Sequence, residues 1–142
     1  MVHALQEIRR TLLPSGLLID LRPLLKRWPV EVVWSGGYQK VGRLTDLPEG
    51  LADDAAANRA MDEVAHNGWF SLERAERFPL FYSWDTASEM EQFMREEWED
   101  FIQIDDEVVR AAKSAWAVAN ADARVRVQAS MIANLWKKQD HI

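Results

Sequence analysis

At 142 residues, of which 48% are hydrophobic, the chain is long enough for one domain with a hydrophobic core, residues 1–142. The absence of cysteine excludes disulfides and cysteine-based metal sites or nucleophiles, and no stretch approaches the roughly 20 apolar residues of a membrane span. We therefore expect a cytoplasmic protein without a membrane partner. The net charge is −6, and the eighteen acidic residues within 46–107 argue against a nucleic-acid partner.

The first third of the chain predicts a helix, a buried strand and a hairpin. Apolar residues at helical spacing indicate a helix over residues 2–13, which Pro14-Ser15-Gly16 ends. The strand Leu17–Leu21 follows, and its almost unbroken apolar run, which has no alternation, is typical of a strand that is covered on both faces. Two β-rich segments, 30–34 and 38–44, flank Ser35-Gly36-Gly37, and paired glycines between such segments predict a hairpin.

The middle of the chain predicts a helix, a long strand and a second helix. Asp53 or Asp54 is a suitable N-cap for the first helix, and Asn67-Gly68 supplies its left-handed end. The long strand covers 69–84. Because Pro79 has no N–H to donate, this strand is expected at a sheet edge or with a bulge. The motif Thr86-Ala-Ser-Glu is a capping box that opens the second helix.

The last part of the chain predicts one more helix and an ambiguous segment. The helix is expected after Asp105 or Asp106. Residues 124–136 alternate as a strand does, yet they also fit a helical stripe, so periodicity alone leaves both assignments open. The histidines at 3, 66 and 141 have no second ligand at metal spacing, and we expect no metal site.

In chain order, these elements resemble the C-terminal half of a class I S-adenosylmethionine-dependent methyltransferase. The segments that carry the resemblance are "ALQEIRR", "LLPSG", "LLIDLRP", "FPLFYSWD", "TASEMEQFMREEW" and "VRVQASMIANLW". Ser15 stands where the family usually has the first glycine of a pair, and the hairpin is an insertion. The resemblance implies an α+β fold with a partial Rossmann-like sheet, whose strands are equivalent to strands 5, 7 and 6 of the family. It also favours a strand over 124–136.

The resemblance implies that the cofactor site lies outside this sequence. In the family, a glycine-rich turn after the first strand and an acidic residue after the second hold S-adenosylmethionine. The six glycines here contain no Gly-x-Gly spacing. We expect no cofactor for the chain alone, and S-adenosylmethionine only if a partner chain supplies the N-terminal half.

A candidate ligand cleft follows from the expected topology. Ligands of open α/β sheets lie beyond the carboxyl ends of parallel strands. The two parallel strands are expected to end at 20–23 and 82–85, and Trp28 or Trp34 is a candidate lid. The predicted cleft residues are Asp20, Arg22, Trp28, Trp34, Tyr82, Trp84 and Asp85. The alternative is that the aromatic residues belong to the core and that Asp20 and Arg22 pair with neighbours.

Three functions are compatible with the sequence. The first is a non-catalytic, methyltransferase-like half-domain that acts as an interaction or small-ligand-binding module. Its strand Leu17–Leu21 lacks the fourth strand of the family, so we expect the hairpin or a second subunit to cover it, and we predict a homodimer. The second is one half of a split or truncated methyltransferase that a partner chain completes. The third is a self-contained α+β ligand-binding or isomerase-like domain.

Overall fold

A computed structural model describes residues 1–140, which form an α+β fold. The helices are α1 (Val2–Thr11), α2 (Pro48–His66), α3 (Ala87–Glu97) and α4 (Asp106–Val118). The strands are β1 (Leu17–Leu24), β2 (Pro29–Trp34), β3 (Gly37–Arg43), β4 (Thr45–Asp46), β5 (Phe70–Trp84), β6 (Ile102–Gln103) and β7 (Arg124–Lys138). Most strand pairs are antiparallel, and a short pair, β4 with β6, forms separately from the main sheet.

The chain divides into two compact units. The first contains residues 1–24, 52–78 and the described residues from Met131 onward, and the second contains 25–51 and 79–130. The long strands β5 and β7 each contribute one portion to each unit. Each unit has its own hydrophobic cluster, so the two are described in turn.

In the first unit, α1 and α2 pack on one face of a sheet. Their shared cluster combines residues of both helices with Phe70 of β5 and Trp136 of β7; the helix members are Leu5, Ala60, Met61 and Val64. Leu18 of β1 packs against the same cluster. The even-numbered residues of β1 therefore point towards the helices, and the odd-numbered residues point away. This follows because successive strand residues alternate between the two faces of a sheet.

The end of β7 lies between the beginnings of β1 and β5. The backbone N–H of Lys138 donates to the carbonyl of Gly16 at 2.8 Å, and that of Gln139 donates to the carbonyl of Trp69 at 2.9 Å. β7 pairs with both β1 and β5. Because β7 ends where the other two strands begin, it is antiparallel to both of them, and β1 and β5 run in the same direction.

In the second unit, the hairpin of β2 and β3 extends a sheet that α3 and α4 cover. β2 pairs antiparallel with β3 and with the first residues of β7. The inward residues of these strands are fully buried against the helices; they include Val30, Val32, Val125 and Val127. Aromatic residues fill the rest of this core around Trp98, which accounts for much of the high tryptophan content.

Many sequence predictions of individual elements are confirmed. The hairpin turns at 35–36, and α3 begins at the N-cap Thr86, whose hydroxyl accepts from the N–H of Glu89 at 3.1 Å. Asp105 is the N-cap of α4, and the positive φ of Gly68 follows the end of α2. The ambiguous segment is a strand within β7, and β5, which contains Pro79, is an edge strand.

Two predictions are wrong. α2 begins at Pro48 and not after Asp53 or Asp54, because proline at the first helical position needs no partner for its nitrogen. The strand Leu17–Leu21 is not covered on both faces: Leu17, Ile19 and Leu21 are 55%, 68% and 58% exposed. The apolar run shows that the strand is hydrophobic, but it does not indicate whether other elements cover one face of the strand or both.

Candidate functional site

The predicted cleft residues Asp20 and Arg22 lie in the first unit, where they pair with each other. Nε of Arg22 donates to Oδ1 of Asp20 at 2.9 Å, and Nη2 donates to Oδ2 at 3.1 Å. Nη1 donates to Oδ1 of Asn58 in α2, also at 2.9 Å. The two parallel hydrogen bonds satisfy the carboxylate and fix the guanidinium plane. The pair therefore anchors β1 to α2.

The remaining predicted residues lie in the second unit, and the aromatic ones among them pack in or against its core. Trp28 is 3% exposed and meets Trp98 edge-to-face at 5.7 Å. Tyr82 and Trp84 stack at 6.5 Å and each also meets Trp98. Such offset and edge-on arrangements stabilise aromatic clusters beyond the area they bury.

Trp34 and Asp85 lie at strand ends of this second unit. Trp34 ends β2 and packs against the core, and Asp85 follows β5 and forms an ion pair with Arg124 at 3.1 Å. Each predicted cleft residue thus has a contact within its own unit. A cleft that combines all seven residues stays a prediction.

The outer face of β1 is an exposed apolar feature of the first unit. Leu17, Ile19 and Leu21 project from alternate positions of the strand, and each is more than half exposed. Ile19 borders a groove of about 240 Å³ together with Ala133 and Leu135 of β7. The ion pair of Arg74 and Glu76 borders the opposite side of this groove. We call this surface the outer face of β1.

The free edge of β1 adjoins a second groove. β1 pairs with β7 on one side and with none of the described strands on the other. A groove of about 280 Å³ lies along the strand, and its apolar lining includes Leu5, Leu18, Leu21 and Met61. A strand with one unpaired edge and apolar neighbours is a template for strand addition. Exposed apolar area of this kind marks interaction surfaces.

The second unit has a different outer face, which the sequence predictions missed. Glu31 of β2 is 4% exposed, and its Oε1 accepts from Nε of Arg126 at 2.9 Å. The guanidinium of Arg126 also lies 5.4 Å from the ring centroid of Tyr38 and 4.6 Å from that of Phe81. The signal for it in the sequence was the single acid between Val30 and Val32, which points out of the core because strand residues alternate.

The acidic segment contributes an ion-pair network between α3 and α4. Glu91 binds Lys113 at 3.0 Å and Arg95 at 3.0 Å, and Arg95 also reaches Asp106 at 3.3 Å. The hydrogen bond from Lys113 lowers the pKa of Glu91 below its ordinary value, and Arg95 acts in the same direction. This part of the acidic segment therefore connects two helices.

The surroundings of Gly50 do not fit S-adenosylmethionine in the manner of the methyltransferase family. Gly50 lies in the first turn of α2, shortly after a strand, as the family's glycine-rich turn requires. A Cβ atom at this position would lie 2.6 Å from Leu25 and 2.7 Å from Phe101, so the close approach serves helix packing and leaves no space for a ligand. We derive no chemistry through this cofactor.

The described residues offer neither a metal site nor a membrane-spanning helix that would assign a function. Within residues 1–140, no three His, Asp or Glu side chains are grouped so that they could hold a metal ion, and His141 lies outside this range. None of the helices in the described part of the chain is both long and apolar enough to span a membrane. No protein-family model, curated protein or solved structure matches the chain.

Proposed function

We propose that the chain is a non-catalytic, methyltransferase-like half-domain that acts as an interaction module, and that a second copy covers β1. The observation that carries this proposal is the exposure of Leu17, Ile19 and Leu21 on a strand with one free edge. Fully burying an apolar side chain of this size contributes about 1.5–3 kcal/mol, and a cross-strand pair of such side chains contributes about 0.2–1 kcal/mol. A surface of this composition is better suited to a protein partner than to water.

The choice of a second copy rests on the chemistry of β1 itself. The charged residues of the strand, Asp20 and Arg22, point inward and bind each other, so the residues that β1 itself contributes to the outer face are uncharged. Two β1 strands that pair antiparallel about a two-fold axis place like surfaces together without charge repulsion. Such an interface is closed, and it removes both free edges at once.

The test is the molar mass in solution, measured by light scattering at ~50 μM, because dimerisation depends on protomer concentration. We expect twice the 16.4 kDa of one chain. The variant Ile19→Lys places a charge on the outer face and is expected to be monomeric. The control Val118→Lys changes an apolar residue on α4 that is even more exposed than Ile19, and it is expected to remain dimeric.

Two results would contradict the proposed dimer. One is a wild-type protein that stays strictly monomeric at this concentration. The other is a dimer that both lysine variants preserve or both abolish, since the interface would then lie elsewhere.

A second function is favoured by the strand order of the first unit. β7 lies between β1 and β5 and is antiparallel to both, which is the order of strands 5, 7 and 6 in the methyltransferase family. The free edge of β1 is then the edge that a fourth strand pairs with in that family. This order supports one half of a split S-adenosylmethionine-dependent methyltransferase, whose partner chain supplies the cofactor site.

The split-enzyme proposal is tested by calorimetric titration of S-adenosylmethionine. We expect no binding by the chain alone and binding after the product of the neighbouring gene is added. Null titrations in both cases would remove this proposal, and so would equal binding in both cases.

A further inference from the structure

A hollow on the sheet of the second unit concentrates positive charge. Its volume is about 390 Å³, which is within the usual range of small-molecule sites, and three basic side chains line it: Lys26, Lys40 and Arg43. In the described part of the chain, none of these three forms an ion pair with a carboxylate. This concentration occurs in a chain whose net charge is −6.

A β-bulge brings two of these basic residues to one face. Lys40 and Arg43 are three residues apart, so a regular strand would direct them to opposite faces. The register instead pairs Glu31 with Lys40 and Pro29 with Arg43, and it shifts between Val30 and Glu31. Because Pro29 and Glu31 lie on the same face of β2, their partners do as well. Bulges that redirect side chains in this way are common beside functional sites.

The backbone packing of β3 holds the bulge in place. A Cβ atom at Gly42 would lie 2.8 Å from the side chain of Val108 in α4, so the strand approaches the helix closely here. Nη1 of Arg43 donates to the carbonyl of Arg27 at 3.0 Å, which orients the guanidinium without neutralising it. The position of this positive charge is therefore defined before any ligand binds.

The acid in the hollow does not cancel the three positive charges. Glu31 lines the hollow, but its carboxylate accepts from Arg126 at 2.9 Å and is 4% exposed. Arg126 in turn lies over the ring of Tyr38, which forms one wall. The Glu31–Arg126 pair thus forms a neutral floor, and Gln128 and Ser130 add uncharged hydrogen-bonding groups.

We infer that this hollow binds a small organic phosphate. The phosphate group lies among Lys26, Lys40 and Arg43, because a phosphate offers charge and several acceptor oxygens to Lys and Arg. The organic part lies against Tyr38, and a flat ring suits an aromatic wall. This site is separate from the interaction proposed for β1, so either proposal can fail without the other.

The test is calorimetric titration at low ionic strength with adenosine 5′-monophosphate, inorganic phosphate and adenosine. We expect adenosine monophosphate to bind most tightly, inorganic phosphate more weakly, and adenosine not detectably. The double variant Lys40→Gln/Arg43→Gln is expected to weaken the binding of adenosine monophosphate by roughly tenfold or more. Raising the salt concentration is expected to weaken it as well, since the hollow is open to screening.

Arg110→Gln is the matched control, because it removes an exposed positive charge from α4 of the same unit. It is expected to bind as the wild type does, and circular dichroism checks that every variant is folded. Equal affinities of the double variant and the control would overturn the inference, as would the absence of wild-type binding to either phosphate. Binding of a synthetic peptide of residues 87–100 in place of the phosphates would also overturn it, in favour of an acidic protein partner.

Discussion

The outer faces of the two units differ in chemistry although the same strand, β7, contributes to both. In the second unit, Arg126 of β7 and Glu31 of β2 form a buried ion pair that is flanked by polar side chains. In the first unit, Ala133 and Leu135 of β7 lie beside Ile19 of β1 in an apolar groove. The first arrangement presents mainly charged and polar groups, and the second presents apolar side chains beside the ion pair of Arg74 and Glu76. This difference is the basis for the proposal that a second copy covers the outer face of β1.

The largest expected difference in the free energy of unfolding is between a substitution in the core of the second unit and one on the outer face of β1. Trp98→Ala removes the centre of the aromatic cluster and should lower the free energy of unfolding by about 3–5 kcal/mol. Ile19→Ala should change it by less than about 0.5 kcal/mol at a concentration where the protein is monomeric, because Ile19 is exposed. Urea denaturation followed by circular dichroism measures both. Similar losses would mean that Ile19 is buried within the single chain.

A smaller effect is expected at the ion pair of the second unit. Glu31→Ala leaves Arg126 without its carboxylate and should cost about 2 kcal/mol, less than for full burial because the side chain of Arg126 is 23% exposed. The double variant Glu31→Leu/Arg126→Leu should recover most of this loss, since two apolar residues pack together without a buried charge. If Glu31→Ala were as stable as the wild type, the ion pair of Glu31 and Arg126 would not contribute to the stability of the second unit.

The smallest effect concerns the link between α3 and α4. The pKa of Glu91 is lowered in the folded state, so its contribution to stability is present at neutral pH and is lost as the pH falls below the ordinary value of 4.5. Glu91→Gln should therefore be less stable than the wild type by up to about 1 kcal/mol at pH 7, and equally stable once the pH is low enough to protonate Glu91 in the folded state.

The matched control for this link is Glu97→Gln, which removes an exposed carboxylate of α3 that forms none of the described ion pairs. Thermal unfolding at several pH values measures both variants. A difference between Glu91→Gln and the wild type that persisted in acid would show that the loss comes from packing and not from charge.

Local chemistry made most elements predictable from the sequence. The hydroxyl of Thr86 caps the helix that follows it, and the glycines of the hairpin form the turn in which they lie. Both effects involve residues that are close in sequence, so they can be predicted without the rest of the chain. The bulge beside Glu31 was not predictable, because it depends on how closely β3 approaches α4.

Features that depend on the whole fold were also missed or wrong. The prediction that both faces of β1 are covered is wrong for its outer face. An apolar run in a sequence does not indicate which elements pack on each side of the strand. The aromatic residues of the predicted cleft pack in or against the core, since the sequence does not distinguish a ligand-binding wall from a packed one.

The most direct test of the central claim is hydrogen–deuterium exchange of β1 at two protein concentrations. If a second copy pairs with the free edge, backbone amides of residues 17–22 that point away from β7 exchange more slowly at the higher concentration. Amides of β2 serve as the internal reference, because both neighbours of that strand lie within one chain. We predict protection of β1 that increases with concentration while β2 stays unchanged. Exchange of β1 that is independent of concentration would contradict the account.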